Sequence, residues 1–278
     1  MRHYLWATLA VLAVVAAVGL LSRRTLVAPS GSAGTGQSVG IPRTPDGKPD
    51  LSGGWIQLRD EPENNRVTTH RNPMAGRLVK DVPPMTPWGQ AQCKKVDCPK
   101  RLGDFVDPVH RCAPAGFPRS LITVEPIEIL YATANGTNRM LMRFEQYESL
   151  VREIWMDGRA HPEHPDRAWM GHSVGTWEGD TLVVDSVGMV VGMRAEMAFL
   201  DRMGRPRSDE LHVTERFQRL DYDTLKIDLT YDDPKAYTKP FTGQAMFEFR
   251  PEQELREALM CEDQIMAESP EEAWPFHR

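Results

Sequence analysis

Helical periodicity is almost absent from this sequence of 278 residues. Beyond an apolar N-terminal run, only the short stretches 85–94 and 252–260 carry apolar residues at helical spacing. The absence of alternating strands and helices excludes a parallel α/β fold. Hydrophobic residues make up 41% of the chain and charged residues 26%, which is the balance of a folded soluble protein.

The sequence also lacks an excess of positive charge and the common cofactor motifs. Thirty-three basic and 39 acidic residues give a formal net charge of −6, so we expect no nucleic-acid partner. No C-x-x-C-H haem motif, P-loop or G-x-G-x-x-G loop occurs, and we expect no cofactor. Ser173 is not within a G-x-S-x-G motif, which argues against a serine hydrolase.

One long apolar run is present, at residues 5–21, with Arg2 before it and Arg23 and Arg24 after it. Its length suits either a signal peptide or a short membrane anchor, and a buried core helix is a weaker alternative. We expect residues 1–24 to direct export, with residues 5–21 holding the protein on the periplasmic side of the inner membrane. If they are cleaved, the protein is secreted to the periplasm.

Residues 25–49 are rich in serine, glycine and proline, which predicts a flexible tether. The remaining residues, 50–278, are predicted to form one domain. Cysteine is scarce, but the four cysteines are an even number, as expected for disulfides in an oxidising compartment. We expect pairs between Cys93 and Cys98 and between Cys112 and Cys261. A zinc site is less favoured because no second C-x2-C completes the ligand set.

Short strands dominate from residue 125 onward. Asn135-Gly136 is a strong hairpin signal between two of them, and Asp157-Gly158 is a further turn. The predicted strands begin near Gly54 and continue at 126–133, 138–145, 149–156, 172–177, 181–187, 211–220, 224–231 and 243–250. About nine strands joined in sequence predict an all-β fold, either one antiparallel β-barrel or a strongly curled sheet, with one or two short peripheral helices. Gly53-Gly54-Trp55 in the first strand resembles the G-x-W opening of lipocalin-like barrels, so we expect a lipocalin-like β-barrel. A β-sandwich is the alternative.

The hairpin between the predicted strands 211–220 and 224–231 predicts which side chains line the barrel interior. If Leu220 lies opposite Leu225, the apolar face of the strand that ends at Tyr231 shares the lumen with Arg216 and His212. Because a filled core does not favour such residues unpaired, this pairing predicts a partly polar pocket at the barrel mouth. The alternative places Val213, Glu215 and Phe217 inside.

Four segments resemble a known family. They are Asp157-Gly-Arg-Ala-His-Pro162, Met170-Gly-His-Ser-Val-Gly-Thr-Trp-Glu-Gly-Asp-Thr-Leu-Val-Val-Asp185, His212-Val-Thr-Glu-Arg-Phe217 and Asp233-Pro-Lys-Ala-Tyr-Thr-Lys-Pro240. Together they resemble an uncharacterised family of exported proteins of soil bacteria, found in acidobacteria and proteobacteria. The resemblance covers most of residues 42–262. It implies export but no particular reaction.

Ionisable side chains concentrate in these segments. Histidine suits proton transfer near neutral pH, so His172 and His212 are the candidate catalytic pair, with Asp157 or Glu215 orienting an imidazole. The predicted ligand-binding residues are Arg216, Arg159, His161, Trp177 and Tyr231. Asp157 precedes Gly158 and is equally typical of a turn. His161-Pro-Glu-His164 is a weak metal-binding motif, and we favour an exposed loop at these residues.

Three functions remain open from the sequence. The first, which the sequence favours, is binding of a small hydrophobic or aromatic molecule in the partly polar lumen. The second is a cofactor-independent acid–base enzyme, such as a hydrolase, lyase or isomerase, that uses His172 and His212. The third is a structural subunit of an envelope complex. The enzyme hypothesis requires the two histidines to converge in one cavity, and a separation of more than about 10 Å, or side chains that face solvent, counts against it.

Overall fold

A computed structural model describes residues 40–58, 82–99, 114–122, 126–145, 150–190 and 199–255. Nine strands form a closed barrel in chain order, with the last strand pairing with the first. The strands are β1 (Gly53–Gln57), β2 (Ile127–Ala134), β3 (Thr137–Phe144), β4 (Val151–Trp155), β5 (His172–Glu178), β6 (Thr181–Val187), β7 (His212–Arg219), β8 (Thr224–Asp232) and β9 (Phe241–Phe249). The prediction of a single all-β barrel is confirmed, and the sandwich alternative is wrong.

The described residues contain one α-helix, α1 (Pro87–Val96), and a 3₁₀-helix at Arg119–Ile122. Helix α1 begins after Thr86, whose hydroxyl accepts the Gly89 amide, and it carries proline in its first turn. It confirms the helical stretch predicted at 85–94. The described part of the other predicted helix, residues 252–255, is not helical.

Local turn chemistry explains the β2–β3 hairpin. Asn135 and Gly136 both have positive φ, 53° and 74°, which a two-residue type I′ turn requires. The turn places Ala134 opposite Thr137, and the ladder then runs back to Ile127 opposite Phe144. This hairpin therefore forms as the sequence predicts.

One strand pair departs from the predicted antiparallel pattern. In a closed ring, directions can alternate throughout only if the number of strands is even, and this ring has nine. Strands β4 and β5 are parallel, and they share only two residue pairs, Ile154 with Ser173 and Trp155 with Val174. Residues 156–171 form the crossover between them. The prediction of purely antiparallel connectivity is wrong at this pair.

The β7–β8 register also differs from the prediction. Leu225 lies opposite Arg219, not Leu220, and Leu220 is 48% exposed. The reason is the loop, which is one residue shorter than predicted: the Leu220 amide donates to the Thr224 carbonyl at 2.8 Å, and Asp221 accepts the amide of Asp223 within a three-residue turn. The shift by one residue turns every side chain of β7 to the opposite face.

As a result, Val213, Glu215 and Phe217 face the lumen beside the apolar face of β8. The prediction that His212 and Arg216 face the lumen is wrong, since both lie on the outer face. Fully buried side chains occupy the interior, among them Trp55, Phe117, Phe144, Phe217, Tyr231, Tyr237 and Phe247.

Residues 40–50, which precede β1, lie on the barrel surface. Arg43, within the predicted tether, forms an ion pair with Asp180 in the β5–β6 turn at 2.6 Å, and Lys48 donates to the Gly179 carbonyl. Cys93 and Cys98 form a disulfide at the end of α1, as predicted. Cys112, Cys261 and the apolar run 5–21 lie outside the described residues. Within the described ranges, no helix is long and apolar enough to cross a membrane.

Candidate functional site

Three histidines and one aspartate meet on the outer face of the barrel. His172 begins β5, Asp185 lies on β6, and His212 begins β7. The β5–β6 ladder pairs His172 with Val187, and the β6–β7 ladder pairs Asp185 with Thr214. Successive side chains of a strand point to opposite faces, and the neighbours of these residues face the lumen, so these side chains face outward.

The fourth member, His161, comes from the crossover between β4 and β5. Several contacts hold the crossover against the barrel wall. The amide of Ala168 donates to the Gly188 carbonyl at 3.1 Å, and the Val190 amide donates to the Ala168 carbonyl at 2.9 Å. Arg167 forms an ion pair with Asp209 at 3.2 Å. His161 is thereby placed over the row of outward side chains.

Hydrogen bonds join the four side chains in a chain. His161 Nδ1 lies 2.8 Å from His172 Nδ1, and His161 Nε2 lies 3.0 Å from Asp185 Oδ2. The other carboxylate oxygen, Oδ1, contacts His212 Nε2 and accepts the Thr214 hydroxyl at 3.4 Å. We call these four ionisable side chains, His161, His172, Asp185 and His212, the outer cluster.

The carboxylate determines the tautomers. Because ionised Asp185 only accepts, the Nε2 atoms of His161 and His212 both carry protons. The Nδ1–Nδ1 contact holds one proton, and we infer that His172 donates it and His161 accepts it. This leaves a lone pair on His172 Nε2, which has no partner among the described residues. Nδ1 of His212 likewise has no partner in the described part of the chain.

The environment keeps His172 neutral. Partial burial lowers the pKa of its imidazole, and the nearby His161 and Arg159 lower it further, whereas Glu153 opposes them. An imidazole with a lowered pKa carries its lone pair at neutral pH, which is the state that a general base requires.

Glu215, predicted to orient an imidazole, lies elsewhere. It is fully buried in the lumen and forms an ion pair with Arg152 through both carboxylate oxygens. The Arg152 guanidinium also donates to the hydroxyls of Ser173 and Ser186 and lies 3.7 Å from the Phe117 ring centroid. Burial raises the pKa of Glu215, and the charge of Arg152 opposes that change.

The other predicted site residues do not join the outer cluster. Asp157 forms an ion pair with Arg159 at 2.6 Å, and the Arg159 guanidinium lies 3.6 Å from the Trp155 ring centroid. Arg216 forms an ion pair with Glu178 on the outer surface, at 2.9 Å.

Two of the predicted ligand-binding side chains belong to the barrel interior. Trp177 packs against the core, with the Lys48 amine 6.0 Å from its ring centroid. Tyr231 is 1% exposed and stacks on Phe241 at a centroid distance of 5.0 Å. Neither residue lies beside the outer histidines.

Sequence reasoning assigned no role to Asp185 or Arg152. Asp185 could have been found, because counting back from the Glu178–Thr181 turn pairs it with Val174 on the His172 face. Arg152 could not, since its contacts depend on the parallel β4–β5 pair.

The weak metal motif His161-Pro-Glu-His164 does not gather a set of metal ligands among the described residues. His161 uses both ring nitrogens in hydrogen bonds, and His164 is exposed. In the described ranges, no three or more His, Cys, Asp or Glu side chains are grouped so as to hold a metal ion. Compared with known proteins, the chain matches no protein-family model, no curated protein and no solved structure.

Proposed function

We propose that the protein is a cofactor-independent acid–base catalyst whose site is the outer cluster. The observation that carries the proposal is the hydrogen-bonded chain from His172 through His161 to Asp185, which leaves the Nε2 lone pair of His172 without a partner in the described part of the chain. A base oriented by a second group that is itself held by a carboxylate is a recurring arrangement in proton-transfer catalysis.

The hydrogen-bonded chain provides a path along which one proton can move. When His172 Nε2 takes a proton from a substrate, its Nδ1 proton passes to Nδ1 of His161. The positive charge then lies on His161, whose Nε2 proton is held by the Asp185 carboxylate at 3.0 Å. This hydrogen bond holds the His161 ring in the orientation in which its Nδ1 receives the proton.

His212 supplies a second proton-transfer group. Its Nε2 is held by the other oxygen of Asp185, and its side chain is 43% exposed. His172 and His212 lie in one row across β5, β6 and β7, so their Cα atoms are about 10 Å apart at the usual strand spacing. Both imidazoles lie on the outer face, not in one cavity as the sequence-based enzyme hypothesis requires, and each presents a nitrogen that can exchange a proton with a small substrate.

The surrounding hydroxyls favour proton transfer without a covalent intermediate. Ser173 is fully buried on the lumenal face and bonded to Arg152. The Thr214 hydroxyl donates to Asp185 and is not bonded to either free imidazole nitrogen. This arrangement therefore supports direct proton transfer by the imidazoles, as in general-base hydrolases, lyases and isomerases.

Binding of a small hydrophobic or aromatic molecule in the lumen stays a prediction. The lumen is partly polar because it contains Arg152 and Glu215, but these two side chains satisfy each other. Export, attachment to the inner membrane and a role in an envelope complex also stay predictions.

The proposal is tested by proton exchange into candidate substrates. The purified full-length chain is incubated in D₂O with a panel of small carbonyl and hydroxycarbonyl compounds, and deuterium incorporation and product formation are followed by ¹H NMR. We expect catalysis that falls at least about 100-fold in His172→Gln and in His212→Gln.

His164→Gln is the matched control, since His164 is an exposed histidine of the same crossover. It should retain wild-type rates. Rates that are unchanged in both outer-cluster variants would refute the site, and so would the absence of catalysis across the panel by the wild-type chain.

A further inference from the structure

A second group of polar side chains lies directly behind the outer cluster, on the lumenal face of the same strands. Ser173 follows His172, Ser186 follows Asp185, and Glu215 is next to Thr214. All three lumenal side chains are 0% exposed. Because consecutive residues of a strand share one backbone, holding the lumenal side chain in place also holds its outward neighbour.

Arg152 joins these three side chains. From β4, its Nε donates to Ser173 at 3.2 Å, and its Nη2 donates to Ser186 at 2.9 Å. Its Nη1 donates to Glu215 at 2.9 Å, and Nη2 contacts the other oxygen of that carboxylate. One guanidinium therefore connects β4 with β5, β6 and β7.

This connection crosses the β4–β5 joint, which is the strand pair with the fewest paired residues in the barrel wall. Strands β4 and β5 share two residue pairs, whereas β5 and β6 share seven. The β4–β5 joint also separates the two parts of the chain that supply the outer cluster. His161 is carried by the segment that leaves β4, while His172 and Asp185 belong to β5 and β6. The His161–His172 bond therefore depends on how β4 is held against β5.

We propose that Arg152 is a positioning residue for the outer cluster: by holding β4 against β5, β6 and β7 from inside the barrel, it sets His161 between His172 and Asp185. This inference rests on the proposed function. A fixed guanidinium fork suits the role because it bonds several acceptors at once in one geometry, which a lysine amine cannot do.

The proposal is tested by ¹⁵N NMR of the imidazole rings in the full-length chain, a measurement that needs no substrate. In the wild type, neutral His172 is expected to carry its proton on Nδ1. In Arg152→Lys, we expect this tautomer to be lost and the pKa of His172 to return towards its ordinary value. Ser186→Ala, which removes one acceptor of Arg152 and keeps the ion pair, should move the same signals in the same direction by less.

Phe247→Leu is the matched control for a general loss of stability. Phe247 is 1% exposed in the lumen and lies on β9, away from the β4–β5 joint. We expect it to lower the midpoint of unfolding without altering the tautomer of His172.

Wild-type histidine signals in Arg152→Lys and Ser186→Ala would overturn the proposal, as would an equal change in Phe247→Leu. If Arg152→Lys does not fold, Ser186→Ala decides. If these signals respond as expected while the substrate panel shows no catalysis, the positioning role stands and the catalytic proposal fails.

Discussion

His161 Nε2 lies 3.0 Å from Asp185 Oδ2, although the two residues are 24 positions apart and belong to a crossover and a strand. The contact exists because a ring of nine strands needs one parallel pair, and a parallel pair needs a crossover that returns along the barrel wall. The topology of the barrel thus brings a third histidine to His172 and His212.

Asp185→Asn should reduce turnover by at least about 100-fold, because a neutral amide cannot stabilise the imidazolium that forms on His161. The measurement is the rate on whichever compound of the panel the wild type converts. Asp166→Asn is the control, since Asp166 is an exposed carboxylate of the crossover. Equal rates in the two variants would contradict the role of Asp185.

Acidification should destabilise the wild type more than His172→Gln. Burial lowers the folded-state pKa of His172 below the value of about 6.5 in an unfolded chain. The unfolded state therefore binds more protons, and the stabilisation, fully present above about pH 6.5, is lost as the pH falls through the folded-state pKa. Urea midpoints at pH 7.5 and pH 5.5 check this. The same loss in both proteins would show that His172 titrates normally.

Gly171→Ala should be more destabilising than Gly179→Ala. Both glycines have positive φ, so alanine costs about 1–2 kcal/mol at either position. At Gly171 a Cβ would also lie 2.6 Å from the Val187 carbonyl oxygen, whereas nothing lies within 4 Å at Gly179. Overpacking adds about 1–3 kcal/mol. The measurement is the free energy of unfolding of each variant, and equal losses would mean that the Val187 contact is absent.

Glu215→Ala should lower the free energy of unfolding by about 3–5 kcal/mol, because it leaves the Arg152 charge buried without its partner. The double variant Arg152→Met/Glu215→Leu should recover most of this loss, since both charges are then replaced by apolar side chains. A double variant no more stable than Glu215→Ala would mean that the pair itself contributes the stability.

Most of the strands could be predicted from the sequence because their signals are local. Asn135-Gly136 sets the β2–β3 register, and alternation identifies the buried face of β8 from Leu225 to Tyr231. The face of β7 could not be fixed in this way. A one-residue difference in the loop at Asp221 reverses every side chain from His212 to Arg219, and the polar side chains on both faces gave no contrast to correct it.

The candidate site is predictable only in part for the same reason. Their chemistry identifies His172 and His212, and the structure joins them through His161 and Asp185. Arg152 reaches Glu215 because β4 pairs in parallel with β5. This pairing is a consequence of barrel closure, and the sequence near Arg152 carries no local signal of it.

The central claim is that His172 is a neutral base held through Nδ1 by His161. Imidazole ¹H–¹⁵N NMR of the wild-type chain between pH 5 and pH 8 tests it most directly. The account predicts that neutral His172 carries its proton on Nδ1, with a pKa below the ordinary value of about 6.5, and that His161→Gln abolishes this tautomer preference. A proton on Nε2 of neutral His172, or a titration that His161→Gln leaves unchanged, would contradict the account.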